Sequence, residues 1–239
     1  MSGNDAWDWS LARKTRCSSV SALSAGYEGS KPVRTGNAAV EQFQLDVYGE
    51  VMDALHKARQ LDIEAHPSAW ALQRALLEFL EANWQRPDEG IWEVRGPRRH
   101  FTHSKVLAWV AMDRAVKAVE QLGHEGPVDR WRRIRHEIHQ EVCRNAYDPD
   151  RRTFTQFYGS RELDASLLLM PLVGFLPPSD PRVRGTIEAI ERELCQDGYV
   201  LRYPHRTRRG GGGRAARPGG SLSRLYVLAG RQLRPGRPA

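Results

Sequence analysis

Residues 87–96, PDEGIWEVRG, carry three carboxylates (Asp88, Glu89, Glu93), one indole (Trp92) and one guanidinium (Arg95). Turn formers bracket them: Pro87, Gly90 and Gly96. A surface loop has no need of a tryptophan. A site that stacks on a ligand and hands it a proton needs both an aromatic plate and an acid. Glycoside hydrolysis is one such chemistry. It uses two carboxylates, one giving a proton to the leaving oxygen and one activating water or attacking directly. Sugar C–H faces stack on indoles, and sugar hydroxyls bond to guanidinium groups. The loop supplies the parts of the acid half. Trp92 beside Glu93 offers the desolvation that keeps a carboxylic acid protonated near neutrality. Composition alone favours a plainer reading, a packed corner with a solvated acid.

The remaining candidates are weaker. His100 and His103 in RHFTHS lie three apart without a third ligand and read as capping or surface residues. His136 and His139 sit on a charged helix face. No glycine-rich phosphate loop and no Ser-His-Asp order occurs, and Gly210–Gly213 is a low-complexity run. No metal and no cofactor is expected.

The elements that must position the loop read as helices. Phe43, Val47, Val51 and Leu55 recur every four residues and predict a buried stripe on a helix over 38–60. Pro67 and Ser68 open a second helix, with Trp70, Leu72, Leu76, Leu77 and Leu80 on its apolar face. Thr102 or Ser104 caps a third, which stops at Gly123. Pro127 suits the first turn of a fourth, with Trp131, Ile134, Ile138 and Val142 buried. Residues 147–160 form a loop with a short hairpin. Asp164 caps ASLLLMPLVGFL, where Pro171 allows only a kink or a short helix. Asp180 and Pro181 start the last, with Val183, Ile187, Ile190 and Leu194 inward. Six helices with almost no period-2 pattern predict an all-α fold of helical hairpins, closing into an α/α barrel or stacking as a solenoid. No fixed repeat supports the solenoid. The long loops, 84–103 and 147–163, precede alternate helices and so belong at one end of a barrel.

Composition bounds the rest. The 239 residues are 40% hydrophobic, with no apolar run long enough to span a membrane, so a soluble chain is expected. The N-terminus lacks the basic and apolar regions of a secretory signal. Three widely spaced cysteines (Cys17, Cys143, Cys195) argue against a disulfide framework and for a reducing cytoplasm. The net charge of +7 resides in the tail: residues 206–239 hold nine arginines and no acid, and without them the chain is mildly acidic. Rich in Gly, Pro and Arg, that tail reads as disordered, not as a folded nucleic-acid-binding face. No nucleic-acid partner is expected.

Three stretches resemble the bacterial glycoside hydrolase family 15 proteins, the glucoamylase- and trehalase-like enzymes. They are VRTGNAAVEQFQLDVYGEVMDAL, PDEGIWEVRGPRRHFTHSKVLAWVAMDRA and YGSRELDASLLLMPLVGFLPPSDPRVRGTIEAI. They stand in the family's order within a resemblance running from Tyr27 to His205. The resemblance implies an (α/α)6 barrel, here incomplete, and hydrolysis of a terminal α-glucosidic bond in an α-glucan or trehalose-type sugar, with inversion. It implies that Glu93 is the general acid and that Trp92 lies along the sugar. LRYP (201–204) resembles the family's Arg-Tyr-Pro, which gives Arg202 a sugar-binding role. Arg95, in the same loop, joins the substrate-binding set.

The departures carry expectations too. No Trp-x-Arg-Asp motif, which in the family grips the glucose, precedes Tyr27. No EE-[YF]-D base motif follows His205. The chain is therefore expected to divide into an unassigned 1–26, a partial family domain 27–205 and a basic tail 206–239. Alone it is expected to be inactive, and to self-associate through helix faces that a partial barrel leaves open. Codons exist for the tail that, read one base later, spell the family-like EGAFPVSTFWLVDNYALAG. Out-of-frame translation is thus expected there. A non-catalytic sugar-binding or interaction protein is the alternative.

Overall fold

A computed structural model describes residues 19–21, 27–29, 33–35, 42–61, 63, 66, 68–93 and 96–204. The basic tail, Pro67 and Arg95 fall outside the described residues. The chain divides into two compact units, residues 1–43 and 44–239. In the first, β1 (Ser19–Ser21) pairs antiparallel with β2 (Val33–Thr35), Ser19 opposite Thr35. Strands of three residues are too short to show a period in sequence, and this stretch reads there as loop.

The second unit holds, among its described residues, five α-helices: α1 (Asp46–Gln60), α2 (Ala69–Asn83), α3 (Thr102–Leu122), α4 (Val128–Asn145) and α5 (Pro181–Glu193). The expected sixth is a 3-10 helix, Ala165–Leu169, because Pro171 cannot donate the next backbone bond. Two small hairpins complete it, β3 (Tyr147–Asp148) with β4 (Thr153–Phe154) and β5 (Cys195–Gln196) with β6 (Tyr199–Val200). This is the all-α arrangement that the sequence predicts.

Helix α3 is the centre, with α1 and α4 packed against it. It is buried on every face from Thr102 to Val116, as a helix enclosed by others must be. Gly123 ends it in the left-handed conformation (φ 69°). Neither Thr102 nor Ser104 caps it. Phe101 stands at the N-cap, and the Thr102 hydroxyl instead donates to the Thr155 carbonyl at 2.6 Å. Helix α4 buries Trp131, Ile134, Ile138 and Val142, the expected stripe. Helix α5 starts as expected: the Asp180 carboxylate accepts from the Arg182 N–H at 2.8 Å.

Helix α1 departs from expectation. It starts at Asp46, so Phe43 lies outside it, and Val47 on the predicted stripe is exposed. The buried face is Asp46, Gly49, Met52, Asp53 and His56. Backbone approach explains this. A Cβ on Gly49 would lie 2.6 Å from the Leu107 carbonyl carbon and 2.7 Å from the Leu107 Cβ. Only glycine lets α1 and α3 come this close. Gly49→Ala gains about 1 kcal/mol of helix propensity. Against that, forcing a methyl into backbone costs about 1–3 kcal/mol or more. The clash wins, and we expect net destabilisation of about 1–2 kcal/mol by urea denaturation. Stabilisation by the alanine would refute the close packing.

One turn on, Asp53 meets Arg114 of α3 at 2.9 Å. Arg114 also pairs with Asp113 and donates to the Val173 carbonyl at 2.9 Å. Lys57 backs Asp53 at 2.6 Å, while Lys117 and Arg135 back Asp113 at 2.8 and 3.0 Å. At the other end of α3, the buried Lys105 amine donates to the carbonyls of Trp84 and Arg86, just past the C-terminus of α2.

Candidate active site

The loop that carries Trp92 and Glu93 is closed at its base by a two-residue bridge. Asp88 N–H donates to Arg99 O and Arg99 N–H to Asp88 O, both at 2.9 Å. Asp88 also reaches α1: its carboxylate accepts from the Leu45 N–H at 3.1 Å, serving a backbone donor at the start of that helix. The ring of Phe101 fills the space beside Gly90, where a Cβ would come within 2.8 Å of it. The second long loop runs alongside. Thr102 N–H donates to Gln156 O at 2.9 Å, Tyr158 N–H to His100 O at 3.1 Å, and Phe101 pairs with Phe157. The 84–103 and 147–163 loops therefore meet, as their placement before alternate helices predicts.

Trp92 is brought against residues far along the chain. Its Nε1 donates to both oxygens of Asp164, at 2.9 and 3.1 Å. The Arg202 guanidinium carbon stands 4.8 Å from the centroid of the Trp92 ring, within cation–π range. The β5–β6 hairpin delivers Arg202. Its turn residues Asp197 and Gly198 both have positive φ (49° and 82°), the type I′ pattern that suits an Asp-Gly pair. Leu201 N–H then donates to Leu194 O at 2.9 Å. The Arg202 Nε is buried and unpartnered among the described residues.

Glu93 follows Trp92 with φ 48°, a left-handed backbone that costs a glutamate about 1 kcal/mol or more. Its N–H closes a turn onto Gly90 O at 3.2 Å. Its side chain is exposed. The desolvation expected from Trp92 is absent, because the indole turns away to Asp164. Of the loop's three carboxylates, Asp88 is buried and serves Leu45, and Glu89 pairs with Arg98 at 2.8 Å. Glu93 is the one held open to solvent.

Sequence reasoning missed three features. Asp164 reads there only as a cap, yet it is the buried acceptor behind Trp92, and burial pushes its carboxyl above the usual range. His103 reads as a capping or surface residue. It is buried, and burial depresses its imidazole to about 4. Asp46 is pushed up to about 6, by burial first and then by the Asp88 charge. A carboxyl raised in the folded state binds its proton more tightly folded than unfolded. Its contribution is thus present at acid pH and lost as pH climbs from about 4 through about 6. Asp46→Asn cannot ionise, so we expect stability between pH 4 and 8 to fall less in the variant, by up to about 3 kcal/mol. Parallel curves for the two proteins in thermal unfolding would refute this. Among the described residues no group of three or more His, Cys, Asp or Glu could hold a metal, and no helix is long and apolar enough to cross a membrane.

The sequence model of Glycosyl hydrolases family 15 matches residues 12–228. The chain is similar to the trehalase of Mycobacterium tuberculosis, 44% identical over 179 residues, covering 75% of this chain and 26% of that protein. The trehalase of Thermoplasma volcanium is 38% identical over 177 residues, 74% of this chain and 28% of that one. The chain thus spans about a quarter of the length of these relatives. Among solved structures, a wild-type glycosidase shares the fold at TM-score 0.63 and 21% identity, over 74% of this chain and 48% of its own. The glucoamylase from Saccharomycopsis fibuligera does so at 0.53 and 13%, over 67% and 37%.

Proposed function

Since the chain belongs to family 15 of the glycosyl hydrolases, we propose that Trp92, Glu93 and Arg202 form the acid side of a site that cleaves a terminal α-glucosidic bond, in a trehalose-type or short α-glucan sugar. The observation that carries this is the stack of Arg202 on Trp92. Residues 110 positions apart in sequence meet beside an exposed glutamate on a strained turn. Trp92 and Arg202 hold the sugar, and Glu93 protonates the leaving oxygen. Trehalose leads the substrate class because the relatives named above are trehalases. Arg95 belongs to the same binding set. Residues 27–205 are the proposed family domain, and the odd, spaced cysteines favour a reducing cytoplasm. Exposed Val47, Leu72 and Phe79 on α1 and α2 favour self-association.

Binding without hydrolysis is the second reading. The stack of Arg202 on Trp92 suffices to hold a sugar, whereas an inverting reaction needs a base across the ring as well. Glucose release from trehalose and maltose, measured beside a binding titration with the same sugars, separates the two. Release with inversion carries the hydrolase reading. Binding without release leaves the sugar binder. Neither binding nor release removes both.

A further inference from the structure

We propose that Asp164 is the positioning residue of this site, fixing the Trp92 indole and with it the face on which Arg202 and the sugar meet. The inference rests on the reading of Trp92 and Arg202 as sugar-binding residues, but its first readout does not.

The Asp164 carboxylate is buried and receives donors only. Trp92 Nε1 reaches both oxygens at 2.9 and 3.1 Å, and Gln156 Nε2 reaches Oδ2 at 3.0 Å. Ser166 N–H and Ser166 Oγ reach Oδ1 at 2.8 and 2.6 Å. The indole and amide N–H groups can only donate, so the side chain serves them as an acceptor. Capping the 3-10 helix explains the Ser166 bonds. It does not explain the bonds from Trp92, 72 positions earlier in the chain, or from Gln156 in the second long loop. Those bonds tie the two loops to one point. The next residue completes the arrangement: Ala165 N–H donates to Arg202 O at 2.9 Å. Asp164 thus holds one partner of the stack by its side chain, and its neighbour holds the other by its backbone. An indole rotated off this acceptor would carry its face away from Arg202.

Asp164→Asn separates capping from positioning. Its carbonyl can still accept from Ser166. Its amide takes the place of Oδ2, so it points donors at Gln156 Nε2, removes one of the two Trp92 contacts and takes away the charge behind the other. The seven tryptophans give indole N–H signals in a nitrogen-correlated NMR spectrum of the full chain, and Trp92→Phe identifies that of Trp92. In the unsubstituted protein this signal is expected downfield and slow to exchange, as a charge-assisted bond makes it. In Asp164→Asn it moves upfield and exchanges at least about tenfold faster, with the other indoles unmoved and trehalose affinity down about tenfold. An unmoved Trp92 signal overturns the proposal. Should Asp164→Asn fail to fold, Trp92→Phe decides. It keeps an aromatic face but loses the N–H, so affinity falls about tenfold if orientation through Asp164 matters. Unchanged affinity in Trp92→Phe overturns the proposal. Should the unsubstituted chain bind neither trehalose nor maltose, the sugar-site reading fails, while the indole signal still decides the role of Asp164.

Discussion

On the hydrolase reading, glutamine in place of Glu93 is expected to slow glucose release from trehalose by about 10²–10⁴-fold, the usual contribution of a general acid. Binding of the same sugar should hardly change. The geometry gives the reason for the split. Glu93 is exposed, and among the described residues it makes no side-chain ion pair, so its replacement leaves the loop's described ties in place. The loop is held elsewhere, by the Asp88–Arg99 backbone bonds, the Asp88–Leu45 bond and the Trp92–Asp164 bond. Glutamine keeps the shape and donates hydrogen bonds but cannot transfer the proton. Matched rates for the two proteins would move the acid to another group. Loss of binding together with rate would give Glu93 a holding role instead.

Arg114→Met is expected to have the largest effect on stability, about 3 kcal/mol, near the low end for breaking a buried pair. The low end applies because each carboxylate keeps another cation: Lys57 stays on Asp53, and Lys117 and Arg135 stay on Asp113. The Val173 carbonyl loses its donor, which adds to the cost. At about 3 kcal/mol the folded-to-unfolded ratio drops by more than a hundredfold. Urea denaturation at neutral pH measures it, and a loss below about 1 kcal/mol would mean that the pair is solvated. Asp53→Asn in the Arg114→Met background should then cost little more, because the charge it removes has already lost that partner.

How much of this was legible in the sequence depended on what each helix packs against. Helix α4 presents one apolar side to α3, and its stripe of Trp131, Ile134, Ile138 and Val142 could be read directly. Helix α1 meets α3 through Gly49 and a buried ion pair, so its inward face carries little apolar side chain. Apart from Met52 its apolar residues lie to the side, Val51 and Leu55 half-buried and Val47 exposed, so periodicity selected the neighbouring face. On α2 the same happened in part: Leu77 and Leu80 are buried, while Leu72 is exposed and Gln73 is not. Caps by Asp164 and Asp180 were legible because the bond spans two residues. The loop's residue types and the family they belong to were legible. The tie from Trp92 to Asp164 was not, since no local spacing encodes a bond across 72 positions.

The amine of Lys105 has one more consequence. It comes from the start of α3 yet serves carbonyls just past the end of α2, and burial lowers its pKa to about 8. The segment leaving α2 is therefore tied down by a group that arrives only when α3 docks. In a native-state hydrogen-exchange experiment, amides at the end of α2 should open together with the first turns of α3, not with the rest of their own helix. The cooperative unit in that part of the molecule runs across the two helices and includes the base of the loop that carries Trp92 and Glu93.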